Sequence, residues 1–356
     1  MILRESFEEK HIRNIQESSR RDPVLLERAI YAFGLLEALA RVGMPFIFKG
    51  GTCLMLLMEK PRRLSTDIDI IVKPGTNLDD YLEKAAVIFP FQKVEEQKRI
   101  GRNNIEKRHF KFTYDSPINN KPFYILLDVV FEENHYTELV DKEIKSEILL
   151  TEPEYLPIQI PSANCILADK LTAFAPHTTG IALNVGKDME VMKQFYDVCS
   201  LLEIFTDCKN VKNTYDSIAL SELEYRGKDI DVNDCLRDTF AASACLASRG
   251  KVGAEEYPIY VKGIRDLRGH IYAENYSPEI AAGRAAKVMY MVMCLLTGNE
   301  FSEVEDYRDY ADKQIKHEEL LPLKYLRKAN PEAYAYVIKT DELYSNDVEN
   351  IKNKKL

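Results

Sequence analysis

The sequence predicts an α+β protein in which a mixed α/β half is followed by an all-helical half, with the boundary near 155–165. Three observations carry this. Short apolar runs at 45–48, 65–72 and 123–131 read as strands and alternate with stretches of helical spacing. Pro153, Pro157 and Pro161 punctuate an extended segment at 148–160. Beyond about Asp207 every apolar pattern has the helical period.

Taken in order, Asp22-Pro23 is an N-cap followed by proline at the first helical position. Apolar residues over 24–41 keep helical spacing, and Gly43 suits the stop. The run 45–48 reads as a buried strand, Lys49-Gly50-Gly51-Thr52 as a turn, and 53–58 as the start of a helix. A strand over 65–72 follows, then a turn at Pro74-Gly75-Thr76-Asn77 and a helix over 78–89. Residues 108–114 alternate basic or polar with aromatic side chains, 115–120 have loop chemistry, and 123–131 is a near-continuous apolar run that reads as a central strand. Ser162 caps a helix over 163–174; 175–187 is a Gly/Thr loop; 188–205 is helical. Further helices are expected at 217–224, 231–249, 256–273, 277–297 and 303–320, with 351–356 as a frayed tail. No internal repeat or low-complexity segment is visible.

With 356 residues, 46% apolar and 29% charged, the chain has the composition of a soluble globular protein large enough for two domains. Residues 1–10 are too charged for a secretory signal. The longest apolar run, 288–296, is about half a membrane span and reads as a buried helix, so no membrane association is expected. Seven scattered cysteines without a CxxC or Cys/His cluster argue for reduced thiols, a cytoplasmic location and no zinc. A net charge of −9 excludes a general nucleic-acid coat protein but allows a local basic patch. Residues 97–111 hold Lys98, Arg99, Arg102, Lys107, Arg108 and Lys111 against the single acid Glu106. They read either as such a patch or as a solvated hairpin.

The chemistry concentrates in Lys49-Gly50-Gly51-Thr52 followed, fourteen residues later, by Asp67-Ile68-Asp69. Side chains alternate along a strand, so Asp67 and Asp69 share a side. Two such carboxylates repel, and a divalent cation between them relieves the repulsion. A glycine turn opening a helix offers N–H groups and a positive dipole end to phosphate. Gly50 and Gly51 allow close approach of a triphosphate, and the Thr52 hydroxyl suits a terminal phosphate oxygen. Asp128, alone in an apolar strand, needs a compensating partner, either a cation or hydrogen-bond donors at the strand's end. In the first case it completes the metal site and can deprotonate an attacking hydroxyl. This is equipment for moving a nucleotidyl group.

Lys170 borders the buried face set by residues 166, 167, 171 and 174; it reads equally as a snorkelling lysine or as a charge for leaving pyrophosphate. Asp197 reads as a structural acid or as the partner that orders Lys170. Arg62 and Arg63 precede the acid pair, within reach of phosphates or of solvent. His109, His135 and His177 have no ligand or triad spacing.

With these residues in view, the chain resembles the AbiEii/AbiGii toxin family, a branch of the DNA-polymerase-β-like nucleotidyltransferase superfamily. The resemblance rests on Lys49-Gly50-Gly51-Thr52, on Arg63-Leu64-Ser65-Thr66-Asp67-Ile68-Asp69, and on Leu127-Asp128-Val129. It continues through Ala168-Asp169-Lys170-Leu171-Thr172-Ala173 and Lys193-Gln194-Phe195-Tyr196-Asp197-Val198, covering roughly 25–205. It implies a polymerase-β-like mixed-sheet domain over 1–160. A helical domain over 161–356 would then contribute Lys170 and Asp197 to the site. It implies a toxin of a toxin–antitoxin or abortive-infection pair that transfers a nucleotide from an NTP with Mg²⁺ or Mn²⁺. In some relatives the acceptor is the tRNA 3′ end, and a cognate antitoxin is the implied partner. The implied functional positions are Asp67, Asp69, Lys170 and Asp197. On this reading the metal ligands are Asp67, Asp69 and Asp128, and the nucleotide contacts are Lys49, Gly50, Gly51, Thr52, Arg63, Ser65 and Lys170. The sequence departs from the family pattern in three places. Thr52 stands where serine is frequent, the gap to the acid pair is long, and Lys193-Gln194 stands where Arg-Asp is usual. Two alternatives stay open: a nucleotidyltransferase acting on a small-molecule or protein hydroxyl, and a non-catalytic partner-binding scaffold.

Overall fold

Residues 1–58, 60–97 and 106–344 are described in the computed structural model. The chain forms two compact units. One comprises Met1–Ser162 and Gly269–Asn275, the other Ala163–Arg268 and Tyr276–Leu356. The first holds α1 (Glu9–Ser19), α2 (Pro23–Arg41), β1 (Ile47–Lys49), α3 (Gly50–Leu57), β2 (Ile68–Val72) and α4 (Asp79–Ala86). It continues with β3 (Phe91–Gln97), β4 (Glu106–Ser116), β5 (Lys121–Phe131), β6 (Leu139–Glu143) and β7 (Pro157–Pro161).

Five strands make a mixed sheet in the order β1-β2-β5-β4-β3, with β2 and β5 parallel and the other pairs antiparallel. β5 is central, as its apolar run predicts. Its side chains nevertheless alternate: Ile125, Leu127, Val129 and Phe131 are buried, whereas Leu126, Asp128 and Val130 are partly exposed. One face of the sheet is thus sealed and the other accessible. The sealed face lies against α2, which buries residues around its whole circumference and so behaves as a core helix. Asp22 caps it, accepting from the Val24 and Leu25 amides. A fully buried acid on α2, Glu27, accepts from Tyr114 Oη (2.8 Å), Ser116 Oγ (2.8 Å) and the Ile118 amide (3.1 Å). Tyr31 stacks on Tyr114 at 3.9 Å between ring centres. Burial, reinforced by the charge of Glu27, pushes both phenols well above their ordinary range.

Among the described residues of the second unit the regular elements are helices: α5 (Ala163–Ala173), α6 (Asp188–Leu201), α7 (Cys208–Arg226), α8 (Val232–Ala247), α9 (Tyr257–Leu267), α10 (Pro278–Thr297), α11 (Leu326–Ala329) and α12 (Pro331–Leu343). α10 is long and apolar enough to cross a membrane, and 67% of its most apolar window is buried inside the protein. α8 and α12 pack against it.

Several expectations change. The strand expected over 65–72 begins at Ile68, so Asp67 precedes it. The helix after the diglycine begins at Gly50, three residues before the expected start. α1, β3, β6 and α12 have no counterpart in the sequence reading. The helix expected at 303–320 is replaced by two 3₁₀ turns, Tyr307–Tyr310 and Glu318–Tyr325, the second interrupted by Pro322. In the basic stretch, Lys98, Arg99 and Arg102 lie outside the described residues. Arg108 on β4 is spent on Glu96 (2.9 Å) and Asp79 (3.1 Å).

Candidate active site

The diglycine stands where β1 gives way to α3, and both glycines are closely approached by side chains. Gly50 has φ +82°, and a methyl group there would overlap the Asp69 carboxylate. At Gly51 a Cβ would lie 2.7 Å from Ser65 Oγ and 2.8 Å from the Arg63 guanidinium, so those side-chain ends would have to shift. The opening turn of α3, whose first amides have no helical partner, therefore faces one acid, one hydroxyl and one cation. Gly50→Ala is expected to destabilise the fold by about 1–2 kcal/mol through its left-handed backbone alone, with a further loss from displacing Asp69. Gly43, also at positive φ (+69°) but with nothing within 4 Å of a Cβ, supplies the control. A urea titration in which both variants lose equal stability would refute the close packing at Gly50.

Asp69 and Asp128 are cross-strand partners in the parallel β2/β5 ladder. Both are partly exposed, while Ile68, Ile70, Leu127 and Val129 beside them are buried. Asp67 keeps the same alternation, partly exposed between buried Thr66 and Ile68. Its carboxylate lies 3.3 Å from the Arg28 guanidinium. Thr52 departs from the sequence reading. It is fully buried and its hydroxyl donates to the Asp67 carbonyl at 2.7 Å, so it ties α3 to the approach of β2 instead of facing a phosphate. Arg63 is likewise buried and cannot be the solvated residue of the alternative reading. The segment 269–275 holds its neighbourhood. Arg63 forms an antiparallel bridge with Ile271, the Leu64 amide donates to the His270 carbonyl (2.7 Å), and the Tyr272 amide donates to the Arg62 carbonyl (2.8 Å). Lys49 stands opposite Asp69 in the β1/β2 register.

In the helical unit, Lys170 on α5 lies 3.0 Å from Asp197 Oδ2 on α6 and donates to Gln194 Oε1 at 3.0 Å. Side-chain exposures of 7% and 0% make this a buried ion pair. The reading of Lys170 as a snorkelling edge residue gives way to one in which both ends of the pair are enclosed. Gln194 occupies the position where an acid is usual in the family pattern and still accepts from the lysine.

Two residues near the acids escaped the sequence reading. His109 on β4 places Nδ1 2.6 Å from Asp128 Oδ1. Its signal, a histidine in an alternating strand, acquires meaning only once β4 is registered against β5. Arg28 sits beside Glu27 in the first half of α2; its guanidinium also lies 5.6 Å from the Phe123 ring centre.

Asp67, Asp69 and Asp128 are grouped as metal ligands in the sequence reading. Among the described residues, no three His, Cys, Asp or Glu side chains converge closely enough, as placed, to hold an ion. Asp67 is engaged by Arg28, and Asp128 by His109. The donor chemistry still fits a hard cation, because Asp69 and Asp128 present carboxylates from adjacent strands on the accessible face. The residues could hold such an ion after side-chain rotation.

The chain matches the family model described as "Nucleotidyl transferase AbiEii toxin, Type IV TA system" over residues 34–265. No curated protein matches. Among solved structures, JHP933 from Helicobacter pylori is similar with a TM-score of 0.42 and 14% identity, covering 76% of this chain and 92% of that one. An antigenic nucleotidyltransferase-like protein from Paracoccidioides brasiliensis is similar with a TM-score of 0.37 and 14% identity, covering 60% and 93%. These distant likenesses carry no weight here; the family match spans most of the chain and contains the diglycine, all three acids, Lys170 and Asp197. The chain belongs to the AbiEii family of nucleotidyltransferase toxins of type IV toxin–antitoxin systems.

Proposed function

We propose that this nucleotidyltransferase transfers a nucleotide from an NTP to the 3′ hydroxyl of an RNA acceptor such as tRNA, with a divalent cation, Mg²⁺ or Mn²⁺, at Asp69 and Asp128 and with Asp67 beside them. One observation supports this most: two carboxylates in register on the accessible sheet face, beside a helix opening on a glycine, Gly50, whose positive φ and packing on Asp69 exclude a side chain. In this reading the acceptor oxygen attacks the α-phosphorus. A new P–O bond forms, the bond to the β-phosphate bridging oxygen breaks, and pyrophosphate leaves. Asp128 takes the hydroxyl proton. The amides of Gly50 and Gly51, with Lys49, Arg63 and Ser65, hold the phosphates. Lys170, a functional position implied by the family resemblance, is ordered by Asp197 within the helical unit. When bound, the cation polarises the phosphoryl oxygens and lowers the barrier to attack.

A net charge of −9 favours a second reading, in which the acceptor is a protein or small-molecule hydroxyl. Incubating the protein with a cell extract and α-labelled NTPs separates the two. Label removed by ribonuclease supports RNA, and label that resists it supports the second reading. The scaffold alternative predicts no thermal stabilisation by NTP with Mg²⁺. Seven buried cysteine side chains support a reducing, cytoplasmic setting, and the burial of α10 supports a protein working away from membranes. A cognate antitoxin is the partner expected of a type IV toxin; relief of growth arrest by a neighbouring gene would identify it.

A further inference from the structure

One line of register crosses all five strands of the sheet. Lys49 faces Asp69, Asp69 lies beside Asp128, Asp128 faces His109, and His109 faces Gln97. Every member is polar. At its centre the His109 ring meets the Asp128 carboxylate at 2.6 Å, Nδ1 to Oδ1. A carboxylate only accepts, so Nδ1 carries the proton and donates whether the ring is neutral or cationic. Side-chain exposures of 17% for His109 and 31% for Asp128 shelter the contact without sealing it. The terminal torsion of an aspartate is otherwise broad. A donor fixed on a neighbouring strand removes that freedom and commits one oxygen.

We infer that His109 is a positioning residue. By holding Oδ1 of Asp128 it turns the second carboxylate oxygen toward the cation shared with Asp69. The inference rests on the reading of Asp69 and Asp128 as metal ligands. Partners that orient a ligating side chain are worth about 10- to 100-fold in metal affinity, so His109 sets how tightly the ion is held.

The test is Mn²⁺ binding by the full-length protein, counted by electron paramagnetic resonance of the free ion, with no nucleotide present. Asp128→Asn is expected to lose binding and His109→Ala to weaken it about 10- to 100-fold. Asparagine places its amide nitrogen where Nδ1 stands, whereas glutamine places it where Nε2 stands. His109→Asn is therefore expected to recover most of the affinity, and His109→Gln is not. This contrast between two amides separates positioning from a general loss of fold. If Asp128→Asn loses the ion while His109→Ala binds as wild type does, or if asparagine and glutamine behave alike, the role of His109 is overturned and the metal site stands. If wild type fails to bind, or if Asp69→Asn and Asp128→Asn bind normally, the metal site falls and the inference falls with it.

Discussion

Asp69→Ala lowers transfer of α-label to the acceptor by on the order of 10³-fold, while the melting temperature stays equal to that of wild type or rises. The two halves of this expected result have one cause. Asp69 and Asp128 are like charges directly opposite each other in a ladder, an arrangement that destabilises a sheet. Removing one relieves the folded state and removes the cation's support. A bound cation contributes several kcal/mol to the transition state, and each 1.36 kcal/mol is tenfold in rate. Growth arrest on expression should disappear in the same variant. Alanine at Glu95, an exposed acid on β3, supplies the control and is expected to change neither property appreciably. A variant that loses stability together with activity would mark Asp69 as a structural acid. One that labels the acceptor at the wild-type rate would remove the proposed mechanism.

Asp197→Ala costs about 3–5 kcal/mol of stability, because it leaves the Lys170 ammonium enclosed without its counter-charge. Gln194 remains as one acceptor at 3.0 Å, but a neutral oxygen cannot replace a carboxylate at an exposure of 0%. The double variant Lys170→Met with Asp197→Leu should recover most of the loss, since apolar residues of similar volume often replace a buried ion pair without penalty. Urea unfolding of the three proteins reads this directly. A loss under about 1 kcal/mol in the single variant would mean that the pair is solvated in solution. The double variant also separates folding from chemistry. If Lys170 acts on the pyrophosphate, the protein will be stable and still fail to transfer label. If it retains full transfer, the pair serves the helical unit alone.

The readings that succeeded are local ones. Asp22 capping α2, the glycine turn followed by a helix, and the apolar β5 each follow from side-chain chemistry within a few residues. The diglycine and the acids were legible as candidates through their joint order, glycine turn then acid pair, since each motif alone is common. β3 and β6 were not, because half-exposed strands with charged faces lack the apolar run that marks a buried strand. The Thr52 hydroxyl was assigned to a phosphate because sequence gives its chemistry and not its direction; burial turned it to the Asp67 carbonyl.

By itself the sequence determined which groups exist and which lie on a common side: glycines able to meet a phosphate, carboxylates two apart, and an acid in an apolar strand. Only the tertiary structure decided that Asp69 and Asp128 are neighbours, that His109 holds one of them and Arg28 engages Asp67, and that 269–275 returns to hold the backbone around Arg63. The physical reason is that side-chain alternation is written along one strand. Register between strands depends on every packing contact that brings distant segments together.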